Sequence, residues 1–370
     1  MKFIFMKKVL VILSRLDKTG MTTNTIDLCE GLSLEGNSVT LLLGKGSEVD
    51  TVRFISRLDA VNVYVKYFSN PLGIGKCLAV LQILWYVLMS RADIIHVESP
   101  YFSFIPWLLG KKFTSTFHVT DLVRCFYYKN ATHLIAISKE TKDFAKRVFG
   151  YKEEDITIVH HGVSTKFAEK MTTAELCAIK KYHNIPTDKI IMGLVGSIEK
   201  RKGHDILMKA FIMLPREIRD RCHIVFCGSD KNKDQHCKKW LLSEIEQCNL
   251  KEKITVIEYC DPMPVYKCFD LAVFPSRLEG FPLTSIEALM TGVCTLRSDV
   301  EGATEQIEDG KTGYIFRNED VEQLSQQMIR VLKDDDLRKR LAKAGQEKAM
   351  REFSIAAMAK NTMKVYEKML

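Results

Sequence analysis

The sequence predicts an α/β protein of two doubly wound domains, each a parallel sheet covered by helices on both faces. Three observations carry that reading. The chain has 370 residues, more than one hydrophobic core ordinarily organises. Short β-branched apolar runs alternate with longer helical patterns along almost its whole length, the rhythm of βαβ units. The rhythm runs, lapses over a polar helical stretch, "STKFAEKMTTAELCAIKKYHNIPTDK", and starts again.

The first set of predicted strands is "KVLVIL", "SVTLLL", "VNVYVK", "DIIHVE", "FTSTFH", "HLIAIS" and "ITIVHH"; the second is "IIMGLVG", "HIVFCG", "ITVIEY", "LAVFPS", "VCTLRS" and "GYIFR". Helical segments such as "TTNTIDLCEGLSLEG" and "KGHDILMKAFIML" lie between them. The predicted boundaries are 1–164 for the first domain and 165–353 for the second. "DDD" at 334–336 reads as a helix start, where acids complement the helix dipole.

Composition excludes several classes. The 11 cysteines are scattered with no C-x-x-C pair, so neither a disulfide framework nor a zinc site is indicated, and a reducing cytosol is the expected setting. The N-terminus carries Lys7 and Lys8 ahead of "VLVIL", but that run is five residues with no small-residue cleavage site after it, so it reads as a first strand rather than a signal peptide. The net charge of +8 is mild and dispersed, +5 of it falling up to residue 164 (20 Lys and Arg against 15 Asp and Glu). Such an excess suits an anionic substrate or an anionic membrane face. No nucleic-acid motif accompanies it, and no nucleic-acid partner is expected.

Two apolar segments stand out. "CLAVLQILWYVLMS", residues 77–90, is too short to span a bilayer. "YFSFIPWLLGKKF", residues 101–113, adds Phe102, Phe104, Trp107, Lys111 and Lys112. Each reads as a buried core helix or as a peripheral membrane-docking face.

In doubly wound sheets, ligands bind beyond the C-terminal ends of the strands, and with two such domains the cleft between them is the expected active site. Four loaded stretches follow predicted strands. In "SRLDKTGMTTNTIDL", Gly20 lies between strand and helix, where backbone amides approach an anion. In "FTSTFHVTD", His118 ends a strand. In "LVGSIEKRKGHDILMKAF", Arg201 and Lys202 precede a helix and offer a fork and a point charge to phosphates. In "RLEGFPLTSIEALMTG", Gly280 permits close approach, Pro282 suits a helix entry, and Glu279 and Glu287 bracket the turn. Here a structural reading competes: Thr284 and Glu287 fit a capping box, which contributes about 1 kcal/mol and needs no ligand.

The order of these stretches resembles the family-4 retaining glycosyltransferases. "EGFPLTSIEALMTG" is similar to that family's E-x7-E motif, "RKGHDILMKAF" to its K-G-x-x-x-L-x-x-A helix start, and "DGKTGYIF" to its D-G-x-x-G-x-L-V turn. "ITIVHHGVSTKF" resembles its hinge element, with His161 in place of asparagine; "AISKETKD" fits its serine turn. "REFSIAAMAKNTMKVYEKML" resembles its last helix, which packs back on the first domain.

The resemblance implies the GT-B fold of two Rossmann-like domains facing across a cleft, the first acceptor-side and the second binding a nucleotide-sugar. It implies transfer of a hexose-type sugar, with retention, from a UDP- or GDP-sugar to a glycan or lipid-linked acceptor in surface polysaccharide or lipopolysaccharide synthesis. Two alternatives share the fold: a sugar-nucleotide epimerase or sugar-phosphate synthase, and a noncatalytic partner subunit. By resemblance, Glu287 holds the ribose hydroxyls, Glu279 binds hydroxyls of the transferred sugar, and Lys202 holds the diphosphate. The backbone of Gly280, Phe281, Pro282 and Leu283 lines sugar and diphosphate, though Pro282 has no amide hydrogen. Gly20 lets the first domain close over the donor, and His118 contacts the sugar near the reacting carbon.

No cofactor and no metal are expected; the nucleotide-sugar is a substrate. The expected location is cytoplasmic, at the inner face of the plasma membrane. The family's arginine in a "GRL" context is absent: this chain reads "GSI", Ser197 takes that place, and Arg201 is predicted to substitute.

Overall fold

The computed structural model describes residues 6–17, 20–46, 51–72, 75–98, 100–258 and 260–370. The chain divides into two compact units, residues 1–164 with 352–370, and residues 165–351.

The first unit holds strands β1 (Lys8–Leu13), β2 (Ser38–Gly44), β3 (Tyr64–Phe68), β4 (Ile94–Val97), β5 (Thr114–Phe117), β6 (His133–Ala136) and β7 (Ile156–Ile158). All pairings are parallel, in the order β3-β2-β1-β4-β5-β6-β7. The order reverses between β1 and β4, so the loops after those two strands diverge and leave a crevice where doubly wound sheets take ligands. Apolar residues on both sheet faces explain why these strands read as continuous runs: Val9, Val11 and Leu13 pack to one side, Leu10 and Ile12 to the other.

The C-terminal helix Ile355–Met369 belongs to this unit. Ser354 caps it, accepting from the Ala357 amide at 3.2 Å. It lies close against the Gly20–Leu34 helix because Gly31 has no side chain there. A Cβ at Gly31 would sit 2.8 Å from Ile355 Cγ2 and 2.9 Å from the Ala359 Cβ. Val163 ties the helix entry down, donating to the Phe353 carbonyl at 2.8 Å.

The second unit holds β8 (Ile190–Val195), β9 (Cys222–Cys227), β10 (Ile254–Ile257), β11 (Leu271–Phe274), β12 (Cys294–Ser298) and β13 (Tyr314–Phe316). This sheet is also all parallel, in the order β10-β9-β8-β11-β12-β13, and reverses between β8 and β11. The polar stretch between the two sets of strands forms the helix Thr173–Tyr182, opened by a capping box of Thr172 and Glu175. At the "DDD" run, Asp334 accepts from the Leu337 amide at 2.8 Å and the helix starts at Asp335.

Two expectations change. Residues 77–89 lie in the helix Gly75–Met89, which is buried on one face only. Ala79, Ile83 and Val87 face inward, while Leu81, at 63% exposure, and Trp85, at 56%, lead an outward apolar face with Leu78, Leu88 and Met89. Gly20 is the exposed first residue of its helix rather than part of the preceding turn; Lys18 and Thr19 lie outside the described residues.

Candidate functional site

In the second unit the two loops at the sheet's reversal carry the predicted chemistry. After β8 the chain passes Gly196, Ser197 and Glu199 into the tight turn Lys200–Lys202, then the helix His204–Ile212. Gly203 makes the join: its φ is +73°, and a Cβ there would overlap the carbonyl oxygen of Pro275 in the loop after β11. The two loops are therefore in backbone contact, and Arg277 seals them. Its guanidinium forks onto Asp205 at 2.9 and 2.8 Å and donates to the Lys200 carbonyl at 2.6 Å. Its Nε also reaches Glu319 at 2.7 Å, and its amide donates to the Arg201 carbonyl at 2.8 Å. Charge-assisted bidentate pairing of this kind holds geometry as well as charge.

This bracing brings Glu279 to the two cations. Lys202 Nζ donates to Glu279 Oε1, and Arg201 Nη1 lies 3.2 Å from Oε2 while donating to the Leu278 carbonyl at 2.8 Å. Burial pushes the Glu279 carboxyl up, but Lys202 and Arg201 outweigh it and hold the group below its ordinary range, so it is ionised at neutral pH. Ser197 donates to Glu199 rather than toward Glu279.

The helix Leu283–Thr291 begins at once, with Pro282 as its N-cap and no side-chain cap bond. That overturns the capping-box reading of Thr284 and Glu287. With Pro282 at the cap, Thr284 is already helical, Glu287 lies in the second turn, and the capping residue has no amide hydrogen for a glutamate to accept. Its partner is Tyr266, fully buried, whose hydroxyl shares its proton between the Thr284 carbonyl at 2.8 Å and Glu287 Oε2 at 3.1 Å. Burial first, then Glu287, raises the Tyr266 phenol well above its usual range, so it remains a donor. Gly280, Phe281, Pro282 and Leu283 run between the two glutamates, with Phe281 buried.

In the first unit, His118 sits one residue beyond β5. Its Nε2 is 2.9 Å from Glu98 Oε2 and its Nδ1 is 3.1 Å from His161 Nε2. Glu98 follows β4, at the reversal of that sheet, and is fully buried. Sequence reasoning missed Glu98, Tyr266 and Arg277. The signal for Glu98 was present: a carboxylate ending the buried strand pattern "DIIHVE" has to be paired. Nothing in the local sequence marks Tyr266 or Arg277.

Each unit is a doubly wound parallel sheet, and in the second a cation pair meets a carboxylate at the sheet's reversal, beside a helix N-terminus. Residues 18–167 match the family described as Glycosyltransferase Family 4, and residues 178–348 match Glycosyl transferases group 1. The chain belongs to the family-4 glycosyltransferases, of GT-B fold.

Among its relatives, it is 26% identical over 226 residues to the capsular polysaccharide biosynthesis glycosyltransferase CapM of Staphylococcus aureus, a match covering 60% of this chain and 58% of that one. Among solved structures it resembles a glycosyltransferase from Rickettsia africae, with a TM-score of 0.84, 19% identity and 99% of each chain covered. It also resembles Anabaena Alr3699/HepE in complex with UDP-glucose, with a TM-score of 0.81, 16% identity, and 98% and 100% covered. At those identities the structural likenesses carry the fold.

Proposed function

We propose that the protein transfers a hexose-type sugar from a nucleoside diphosphate sugar, UDP- or GDP-linked, to a glycan or lipid-linked acceptor of surface polysaccharide or lipopolysaccharide synthesis, with retention at the anomeric carbon. One observation carries this reading. The half-buried, ionised Glu279 meets Lys202 and Arg201 at the sheet reversal, directly before a helix N-terminus. A carboxylate accepts paired sugar hydroxyls; the adjoining cations and helix amides take a diphosphate.

The chemistry then divides among these residues. Lys202, Arg201 and the amides opening the Leu283–Thr291 helix neutralise the charge that grows on the departing diphosphate. Arg201 fills the place of the arginine for which this chain has Ser197. Glu279 holds the transferred sugar and does not attack it, because its oxygens are engaged by two cations. Glu287, steadied by Tyr266, takes the ribose hydroxyls. His118 contacts the sugar beside the reacting carbon. With no protein nucleophile, the acceptor hydroxyl attacks from the face the diphosphate leaves, and a departing phosphate oxygen takes its proton; the protein works by placement and field. No metal is required in this scheme, since the cations supply the neutralising charge.

CapM's role in capsular polysaccharide biosynthesis and HepE's complex with UDP-glucose support the acceptor and donor classes. No helix of the described residues is long and apolar enough to cross a membrane. The outward face of the Gly75–Met89 helix, with exposed Trp107 and Leu108 and the nearby Lys111, suits peripheral contact with an anionic membrane.

A thermal-shift screen against UDP-, GDP- and ADP-sugars tests the donor. Ligand at a hundred times its Kd should stabilise by about 2.7 kcal/mol. Proton NMR of the product made from an α-linked donor should show an α-glycoside; a β-glycoside overturns retention, and no shift with any of the three overturns the donor class.

A further inference from the structure

The mechanism leaves Glu98, the most deeply buried acid among the described residues, unused. Glu98 is 0% exposed and stands among His96, His118, Tyr366 and Cys29. Its Oε2 meets His118 Nε2 at 2.9 Å, while its Oε1 has no hydrogen-bond partner among the described residues and lies 3.6 Å from His96 Nε2. His96 is already committed, with Nδ1 2.7 Å from the Tyr366 hydroxyl and Nε2 2.7 Å from Thr116 Oγ1. A buried carboxylate with one oxygen unsatisfied is a poor device for stability, because an apolar residue of the same volume would serve packing better. Its geometry serves His118 instead.

We propose that Glu98 is a positioning residue: it fixes the His118 proton on Nε2, aims Nδ1 at His161, and makes the two imidazoles share one further proton. The inference rests on the proposed placement of His118 beside the donor sugar. Burial pushes the Glu98 carboxyl up, but His96 and His118 outweigh it and keep the group below its ordinary range. An ionised carboxylate only accepts, so Nε2 of His118 must carry hydrogen. The 3.1 Å contact between His118 Nδ1 and His161 Nε2 then needs one proton between the rings, whose planes tilt by 33°.

Either His161 donates to a neutral His118, or His118 is an imidazolium donating to His161. In both states the two ring nitrogens of His118 are engaged, so the ring offers an acceptor hydroxyl no free base. It offers a fixed ring and, in the imidazolium state, a charge that the neighbouring ring can share. Asparagine, the residue usual in the resembling motif, could bond to Nδ1 but could not hold that proton. Of the other groups facing the cluster, His96, the Tyr366 phenol and the Cys29 thiol stay neutral at neutral pH. Burial lowers His96 and raises the Tyr366 phenol and the Cys29 thiol well above their ordinary ranges, and His160 turns its ring to Phe353.

The test uses the full chain labelled with ring-¹⁵N histidine, with signals assigned through His118→Asn and His161→Asn. Wild type should show His118 as the Nε2–H form, or as an imidazolium, with a strongly downfield Nε2 proton. Glu98→Gln should lose that proton signal and mix the tautomers. In steady-state assays with the donor found by thermal shift, Glu98→Gln should lower kcat by at least about 10-fold, since the wrong tautomer leaves the ring misaligned beside the sugar. Its donor KM should change less than twofold, and Glu98→Asp should recover part of the loss. His161→Asn should keep the His118 Nε2–H signal and move the acid limb of the kcat–pH profile.

An unchanged His118 tautomer in Glu98→Gln, or a lower melting temperature with unchanged kcat, overturns the proposal. Should Glu98→Gln not fold, His161→Asn decides: the proposal falls if its kcat–pH profile superposes on that of wild type. The NMR arm needs no turnover, so it stands or falls separately from the transferase reading.

Discussion

Replacing Glu279 by glutamine should tighten product binding while it disables transfer. Glu279 occupies Lys202 and lies 3.2 Å from Arg201. A diphosphate must take those cations from the carboxylate and then sit beside it. At about 4 Å and an effective dielectric of about 20, one such like-charge pair repels by about 4 kcal/mol. Part of that is already offset, because the two cations sit between the carboxylate and the diphosphate. If about a third remains, neutralising residue 279 improves nucleoside diphosphate affinity about tenfold, or about 1.4 kcal/mol.

The sugar loses an ionised acceptor in the same change, so kcat/KM should fall by about 100- to 1,000-fold. Isothermal titration with the nucleoside diphosphate that stabilises wild type measures the first effect, and initial rates with the matching sugar nucleotide measure the second. Circular dichroism should show an unchanged fold. Weaker diphosphate binding in Glu279→Gln would refute the placement of carboxylate beside phosphate, and turnover within threefold of wild type would refute its role on the sugar.

Three further outcomes follow from the same structure. Gly203→Ala forces a side chain into a left-handed backbone and against the Pro275 carbonyl, so it should destabilise the fold by about 3 kcal/mol and raise donor Kd; a urea midpoint within error of wild type would contradict the loop contact. His204 is pushed down to about 4 from 6.5, chiefly by burial, so between those values the unfolded chain binds the proton and the folded one does not. Stability is then lost as pH falls from 6.5 toward 4, and between pH 7 and 4.5 wild type should lose about 2.5 kcal/mol more than His204→Leu in urea titrations. The paired substitution Leu81→Ser with Trp85→Ser should abolish flotation with phosphatidylglycerol vesicles and leave the melting temperature within a few degrees, since both side chains face outward; flotation equal to wild type would remove that face as the contact.

Much of the architecture was legible because its signals are local and periodic. All thirteen strands of the two sheets overlap the apolar runs read from sequence, since a strand buried on both faces must be apolar throughout; β3, largely exposed at the sheet edge, runs two residues past its predicted segment. The C-terminal helix and the start of the Asp335–Glu352 helix were legible for similar reasons. The outward face of the Gly75–Met89 helix was not. A helix apolar all round carries no period to say which side is covered, and only packing showed that Ala79, Ile83 and Val87 face in.

The same division runs through the site. Sequence by itself determined that Glu279, Lys202, Arg201 and His118 lie at strand ends, where doubly wound sheets take ligands, because strand order along the chain and the residue types at each exit are one-dimensional facts. Tertiary structure decided their partners. Glu279 meets Lys202 across 77 residues, and Tyr266 reaches Glu287 across 21. Glu98 and His118, 20 residues apart, pair because adjacent parallel strands end at neighbouring levels. Helix entry at Pro282 rather than Thr284 took Glu287 out of the capping role that its spacing had suggested. Such pairings depend on sheet order, on the register between strands and on close backbone contacts such as Gly203 against Pro275, and these arise only when distant segments pack together.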